Sequence, residues 1–236
     1  MFEVREVTKR FGGLTAVDNA TLQIAPGEVV GVIGPNGAGK STLFSVIAGV
    51  LRPDEGHVAA DGQSITGLAP YQLARRGVAR TFQTPRPFGA LTVRDNLVVA
   101  AHTVEREGSA VGAWADECLE RVQMTHVRDV VASALPLGMR KRLEVARALA
   151  TRPRLLLLDE VLGGLNPGEI DTMVELIRQL RDEGLAICMV EHAMAIIMSL
   201  CDRIYVLDHG VVIASGTPKE ISQNQTVIDA YLGGSV

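Results

Sequence analysis

Residues 34–42, Gly-Pro-Asn-Gly-Ala-Gly-Lys-Ser-Thr, bring together the residue types that bind a phosphate chain. Gly34, Gly37 and Gly39, interleaved with Pro35, Asn36 and Ala38, let backbone N–H groups converge on phosphate oxygens at the start of a helix. Lys40 supplies a positive charge to the β and γ phosphates, Ser41 has a hydroxyl suited to Mg2+, and Thr42 completes the pattern. Asp159 and Glu160 close the apolar run 155–158. Such a pair can divide two tasks: Asp159 holds Mg2+ through its water shell, and Glu160 orients or deprotonates an attacking water. His192 follows a second apolar run, "CMVEH", where an imidazole can bond a γ-phosphate and help position Glu160. Gln83, in "RTFQTPRPF", offers a neutral amide that can reach both Mg2+ and the water. These residues predict phosphoryl transfer to water.

Such groups need a sheet edge to bring them together. The apolar run 29–33 before the glycine loop and the helical spacing of "KSTLFSVIAGVL" after it predict strand, loop and helix. "RLLLLDE" and "LAICMVEH", separated by the amphipathic "GEIDTMVELIRQLRDEG", repeat that rhythm and predict a parallel sheet. In such sheets ligands bind at the carboxyl ends of the strands, where Asp159, Glu160 and His192 fall. "FEVREVT" and "AVDNATLQIA" alternate in polarity and predict an antiparallel edge, with hairpins at Asp61-Gly62 and at 208–210. Residues 68–150 lose the strand signal, and about 87–150 read as a helical insert. The chain is therefore expected to be one α/β domain, with a core over about 1–86 and 151–236.

The composition supports that class. In 236 residues, 47% are hydrophobic and only 4% aromatic, the aliphatic balance of a buried parallel sheet. A net charge of -4 gives no reason to expect a nucleic-acid surface. Cys118, Cys188 and Cys201 are far apart and lack metal-ligand spacing, so they read as buried free thiols. "MFEVREVTKRFGG" has neither the basic start nor the apolar run of a secretory signal, and no apolar run has the length of a membrane span. Work at a membrane would require anchoring by other chains.

Taken in order, the motifs make the chain resemble the ATP-binding subunit of an ABC transporter over essentially its whole length. They are the phosphate loop at 34–42, the glutamine loop at Gln83, a signature at 135–139, the carboxylate pair, a D-loop at 163–167 and the switch histidine, His192. The resemblance implies a P-loop NTPase core with a mostly parallel sheet, an N-terminal antiparallel β-subdomain and an inserted α-helical subdomain. It implies ATP and Mg2+ as ligands and assigns Phe11 of "KRFGG" to stacking on adenine. It also implies a head-to-tail pair with a second ATPase subunit, identical or similar, in which Leu137 and Gly138 bind the partner's ATP. Two membrane permeases and, indirectly, a solute-binding protein complete the implied assembly, with this chain peripheral on the inner face of the cell membrane. "ARTFQTPRPFGALTVRDNLVVAA" and "DEVLGGLNPGE" resemble the ATPases of branched-chain amino-acid importers.

Departures from the family pattern open other readings. Leu135-Pro136-Leu137-Gly138-Met139 stands where the family has Leu-Ser-Gly-Gly-Gln, and Asn166 replaces the usual D-loop aspartate. One alternative is therefore a nucleotide-held clamp with little turnover, and another a soluble ABC-type ATPase acting on ribosomes or DNA. A small GTPase is disfavoured, because no Asn-Lys-x-Asp sequence occurs. Arg140, Lys141 and Arg142 crowd the start of a predicted helix whose dipole should repel them. Their expected counter-charge is the γ-phosphate bound by another subunit, or else Glu144 or the partner's acids.

Overall fold

β1 (Phe2–Phe11) and β2 (Leu14–Ile24) pair antiparallel across the Gly12-Gly13 turn, burying Val4, Val7, Val17, Ala20 and Leu22 on one face. The alternation slips by one residue between Val4 and Val7 and between Val17 and Ala20, where bulges put Glu6 and Asn19 at positive φ. In this computed structural model, which describes residues 1–105 and 108–232, the chain then enters the fully buried β3 (Val29–Ile33) and α1 (Lys40–Ile47). β4 (Glu55–Ala60) and β5 (Gln63–Ser64) form a hairpin and complete a four-stranded antiparallel sheet ordered β2-β1-β4-β5. α2 (Pro70–Arg75) leads into β6 (Val78–Arg80).

β6 corrects the sequence reading, which found no strand between 68 and 150. Three residues are too few to show a period, and it is tertiary pairing with the next strand that makes them extended. Helices follow: α3 (Val93–Ala101), α4 (Gly108–Arg121) and α5 (Leu137–Ala150). The chain returns through β7 (Leu155–Asp159), α6 (Pro167–Asp182), β8 (Ala186–Val190) and α7 (Met194–Leu200). It ends with the β9 (Arg203–Asp208) and β10 (Val211–Gly216) hairpin, α8 (Pro218–Ser222) and α9 (Gln225–Leu232).

The second sheet has six strands ordered β10-β9-β3-β8-β7-β6, parallel except for the β9–β10 pair. Its side chains alternate between two cores. Val30, Val32, Leu155 and Leu157 pack toward α1 and the antiparallel sheet, whereas Val29, Ile33, Leu156 and Leu158 pack toward α3, α5 and α6. With apolar side chains on both faces, the central strands read as continuous apolar runs. Gly31 lies at the centre of β3, where a Cβ would come within 2.9 Å of the Cys201 sulfur.

All three cysteines are buried and free. Burial pushes the Cys118 and Cys201 thiols up to about 12 and Cys188 further still. Among the described residues, no helix is long and apolar enough to cross a membrane.

Candidate active site

The carboxyl ends of β3, β8, β7 and β6, neighbours in the parallel sheet, deliver the phosphate loop, His192, the carboxylate pair and Gln83 to one edge. Residues 36–42 line a cleft of about 370 Å³ together with Phe11, Glu160, His192 and His209. The loop's path depends on absent side chains. Gly34 (φ +152) passes Leu207 so closely that a Cβ would lie 2.0 Å from its carbonyl oxygen, and Gly39 (φ +101) meets Ala16 at 2.2 Å. Both conformations favour glycine over any L side chain.

Lys40, only 7% exposed, donates to the carbonyls of Gly34 (2.7 Å) and Pro35 (2.8 Å), so the loop folds around its ammonium. Burial pulls its pKa below the usual lysine value, opposed by the negative charge of Glu160. The first amides of α1 have no carbonyl one turn earlier to bond. The cleft therefore combines a fixed cation with a helix N-terminus, the arrangement that receives phosphate.

Glu160 is the centre of the polar network. Its Oε2 accepts from Gln83 Nε2 at 2.6 Å, and its Oε1 lies 2.9 Å from His192 Nε2. Its backbone has φ +48, in the left-handed region that a glutamate adopts only when its surroundings hold it there. Glu160 N donates to Val190 O at 3.0 Å, tying the turn after β7 to the end of β8. Gln83 reaches Glu160 because Thr81 extends β6: its N–H donates to Leu157 O, and its hydroxyl accepts from Asp159 N.

Asp159 lies beside this carboxylate, and Arg80 donates to its Oδ2 at 2.7 Å while also reaching the Ser45 hydroxyl. The sequence reading missed Arg80, a residue 79 positions away from its partner, with no local signal to mark it. Phe11 is 47% exposed at the cleft rim, with Lys9 Nζ 5.6 Å from its ring centre. His209, also missed, lines the same rim.

Ser41, Asp159 and Gln83 are hard oxygen donors of the kind Mg2+ accepts. Among the described residues no group of three His, Cys, Asp or Glu side chains could hold a metal by itself. The donor set thus fits an ion that arrives with phosphate oxygens, rather than one caged by protein.

Leu137 and Gly138 do not line this cleft. They lie against the D-loop: Leu137 would touch a Cβ on Gly164, and a Cβ on Gly138 would fall 2.2 Å from Glu169 Oε1. Glu169 also closes a capping box with Asn166, accepting from its N–H at 3.0 Å while Asn166 Oδ1 accepts from Glu169 N. An asparagine caps α6 as well as an aspartate would, so the D-loop departure costs the helix nothing.

Of the three bases, Lys141 and Arg142 meet groups of their own chain, and Glu144 serves neither. Glu144 bonds Arg86 N and Arg147 and takes none of them, because its side chain turns toward the loop after Gln83. Lys141 donates to Glu160 O at 2.8 Å. Burial pulls the Arg142 pKa down, and the charge of Glu169 opposes that pull.

A phosphate loop at the end of a central parallel strand, with a carboxylate, glutamine and histidine meeting beside it, defines a P-loop nucleotide hydrolase. The chain belongs to the ABC transporter family, whose model matches residues 17–163, and it is an ATPase of the ATP-binding cassette type. A model described as branched-chain amino acid ATP-binding cassette transporter matches residues 211–236. The high-affinity branched-chain amino acid transport ATP-binding protein BraF of Pseudomonas aeruginosa is 41% identical, the match covering 99% of this chain and 98% of BraF. Among solved structures, an ATP-binding cassette in its ADP conformation superposes with a TM-score of 0.89 at 31% identity, covering 99% of this chain and 98% of that one. A bacterial ABC transporter cassette solved as a dimer superposes at 0.82 with 27% identity, covering 92% and 99%.

Proposed function

We propose that the chain is the ATP-hydrolysing subunit of an importer for branched-chain or related amino acids, bound peripherally to the inner face of the cell membrane. The single observation that carries the hydrolytic part is the junction of Gln83, Glu160 and His192 beside the phosphate loop. In this reading Glu160 takes a proton from water as its oxygen attacks the γ-phosphorus, the bond to the bridging oxygen breaks, and ADP and phosphate leave. Lys40 and the α1 amides bind the phosphates, His192 and Gln83 hold Glu160 and the water in line, and Phe11 stacks on the adenine. Mg2+, held by Ser41, Asp159 and Gln83 with the nucleotide, would neutralise charge on the phosphate oxygens.

Transport requires that this chemistry reach membrane subunits. A groove of about 380 Å³ lies between the core and the helices, with Val50, Phe82, Phe88 and Val99 each exposed by more than two fifths. Arg147 covers the Phe88 ring at 5.0 Å and donates to Arg86 O, linking the groove floor to the loop that carries Gln83. The groove is the proposed seat of the permease, and two cassettes closing head to tail around ATP are the proposed motor. Similarity to BraF and to the dimeric cassette supports both parts.

The experiment is uptake into vesicles that hold this chain, its permeases and its solute-binding protein, with ATP supplied on the cassette side. Leucine, isoleucine and valine should enter only with ATP, and lysine should not. Uptake indifferent to ATP, or to the side chain offered, would sink the importer assignment.

The nucleotide-clamp reading is favoured by one observation. Pro136 occupies the N-cap of α5 with no side-chain bond to the helix, where a hydroxyl would otherwise serve the partner's γ-phosphate. Pro136→Ser is therefore expected to raise hydrolysis at the partner's site by about three- to tenfold, the worth of one added hydrogen bond. Phosphate release measured in a pair whose own cassette is silenced checks this. No change, or a fall, would mean that the proline is tuned for turnover.

A further inference from the structure

Lys141 and Glu191 are opposite charges buried at 6% and 4% exposure on elements from different parts of the fold. Lys141 stands in the second turn of α5, and Glu191 follows β8. Both grip the same short turn. Lys141 Nζ donates to Glu160 O at 2.8 Å, and Glu191 Oε1 accepts from Leu162 N at 2.7 Å. The first of those bonds ends on Glu160 itself, whose left-handed backbone is disfavoured for a residue with a side chain.

Burial pulls the Lys141 pKa down, and the charges of Glu191 and Glu160 oppose that pull. An apolar side chain would fill the same space without that desolvation cost. The ammonium therefore needs a role that packing does not supply. Among the described residues its hydrogen bond ends on the residue whose carboxylate meets Gln83 and His192.

We infer that Lys141 is a positioning residue for ATP hydrolysis, holding the Glu160 backbone from the signature helix so that its carboxylate stays aimed at the water. The inference rests on Glu160 being the group that activates this water. It makes the signature helix a structural input to the carboxylate of its own subunit, through one hydrogen bond separate from the glutamine loop.

The test uses the assembled ATPase pair with its permeases. Lys141→Met should lower kcat by about tenfold or more with KM for ATP changed by less than about twofold, because only the transition state uses an aligned Glu160. Lys141→Arg, which can still donate to the carbonyl, should recover at least about half of the loss. Should Lys141→Met fail to fold, Lys141→Gln, neutral and still a donor, should show an intermediate kcat. Added to Glu160→Gln, Lys141→Met should cause no further loss, since both act through one carboxylate. Additive losses, a loss carried by KM, wild-type kcat in a folded Lys141→Met or Lys141→Gln, or Lys141→Arg as slow as Lys141→Met would each overturn the inference. Failure of the underlying reading would appear separately, as unchanged turnover in Glu160→Gln alone.

Discussion

Glu160→Gln is expected to cut steady-state ATP hydrolysis by at least about a hundredfold while leaving nucleotide binding intact. The amide has the shape of the carboxylate, so the turn after β7 keeps its bonds to Val190 and Lys141. Its oxygen can still accept from Gln83, and its N–H can donate to Nε2 of a neutral His192. What it cannot do is take a proton from water. ATP-bound pairs should therefore accumulate, measurable as retained labelled ATP and as a larger particle on size-exclusion chromatography. Turnover equal to the wild type in the assembled complex would remove Glu160 from its assigned role.

Lys40→Ala should fail at the earlier step. Removing the ammonium deletes a charge-assisted bond to phosphate, worth roughly 1.5–3 kcal/mol, or about 10- to 150-fold in affinity. It also releases the carbonyls of Gly34 and Pro35, so the loop loses the internal post around which it folds. Titration with a fluorescent ATP analogue should show that weakening, with hydrolysis falling in parallel. A contrast with Glu160→Gln is built in: one variant binds without turning over, and the other does neither. Wild-type affinity in Lys40→Ala would mean that the loop amides alone bind the phosphates.

Much of the sheet and most of the cleft could be read from local pattern. The phosphate loop, the two apolar runs ending in carboxylates and in His192, and both hairpins are signals contained within ten residues or so. Contacts between distant segments left no such trace. Arg80 meets Asp159 across 79 positions, and β6 exists as a strand only because β7 pairs with it. The bases at the start of α5 show the same limit most plainly. Helix-dipole reasoning asks for negative partners, and the nearest acid in sequence is Glu144. The fold instead brings Glu160 O to Lys141 and Glu169 to Arg142, and turns Glu144 toward Arg86 and Arg147. Side-chain direction around the helix, which sequence spacing does not fix, decides which groups Glu144 reaches.

The buried thiols carry a practical consequence. Cys118, Cys188 and Cys201 are each less than a tenth exposed, and their ionisation is suppressed by burial. Maleimide reagents attack thiolates that they can reach, so the folded chain presents them with almost no target. A cysteine placed at Leu14 or Tyr71, both on the surface, could then be labelled selectively without first stripping the native three. The proposed opening and closing of a cassette pair could be followed by fluorescence in a chain whose packing around Gly31 and Cys201 is left as evolution made it.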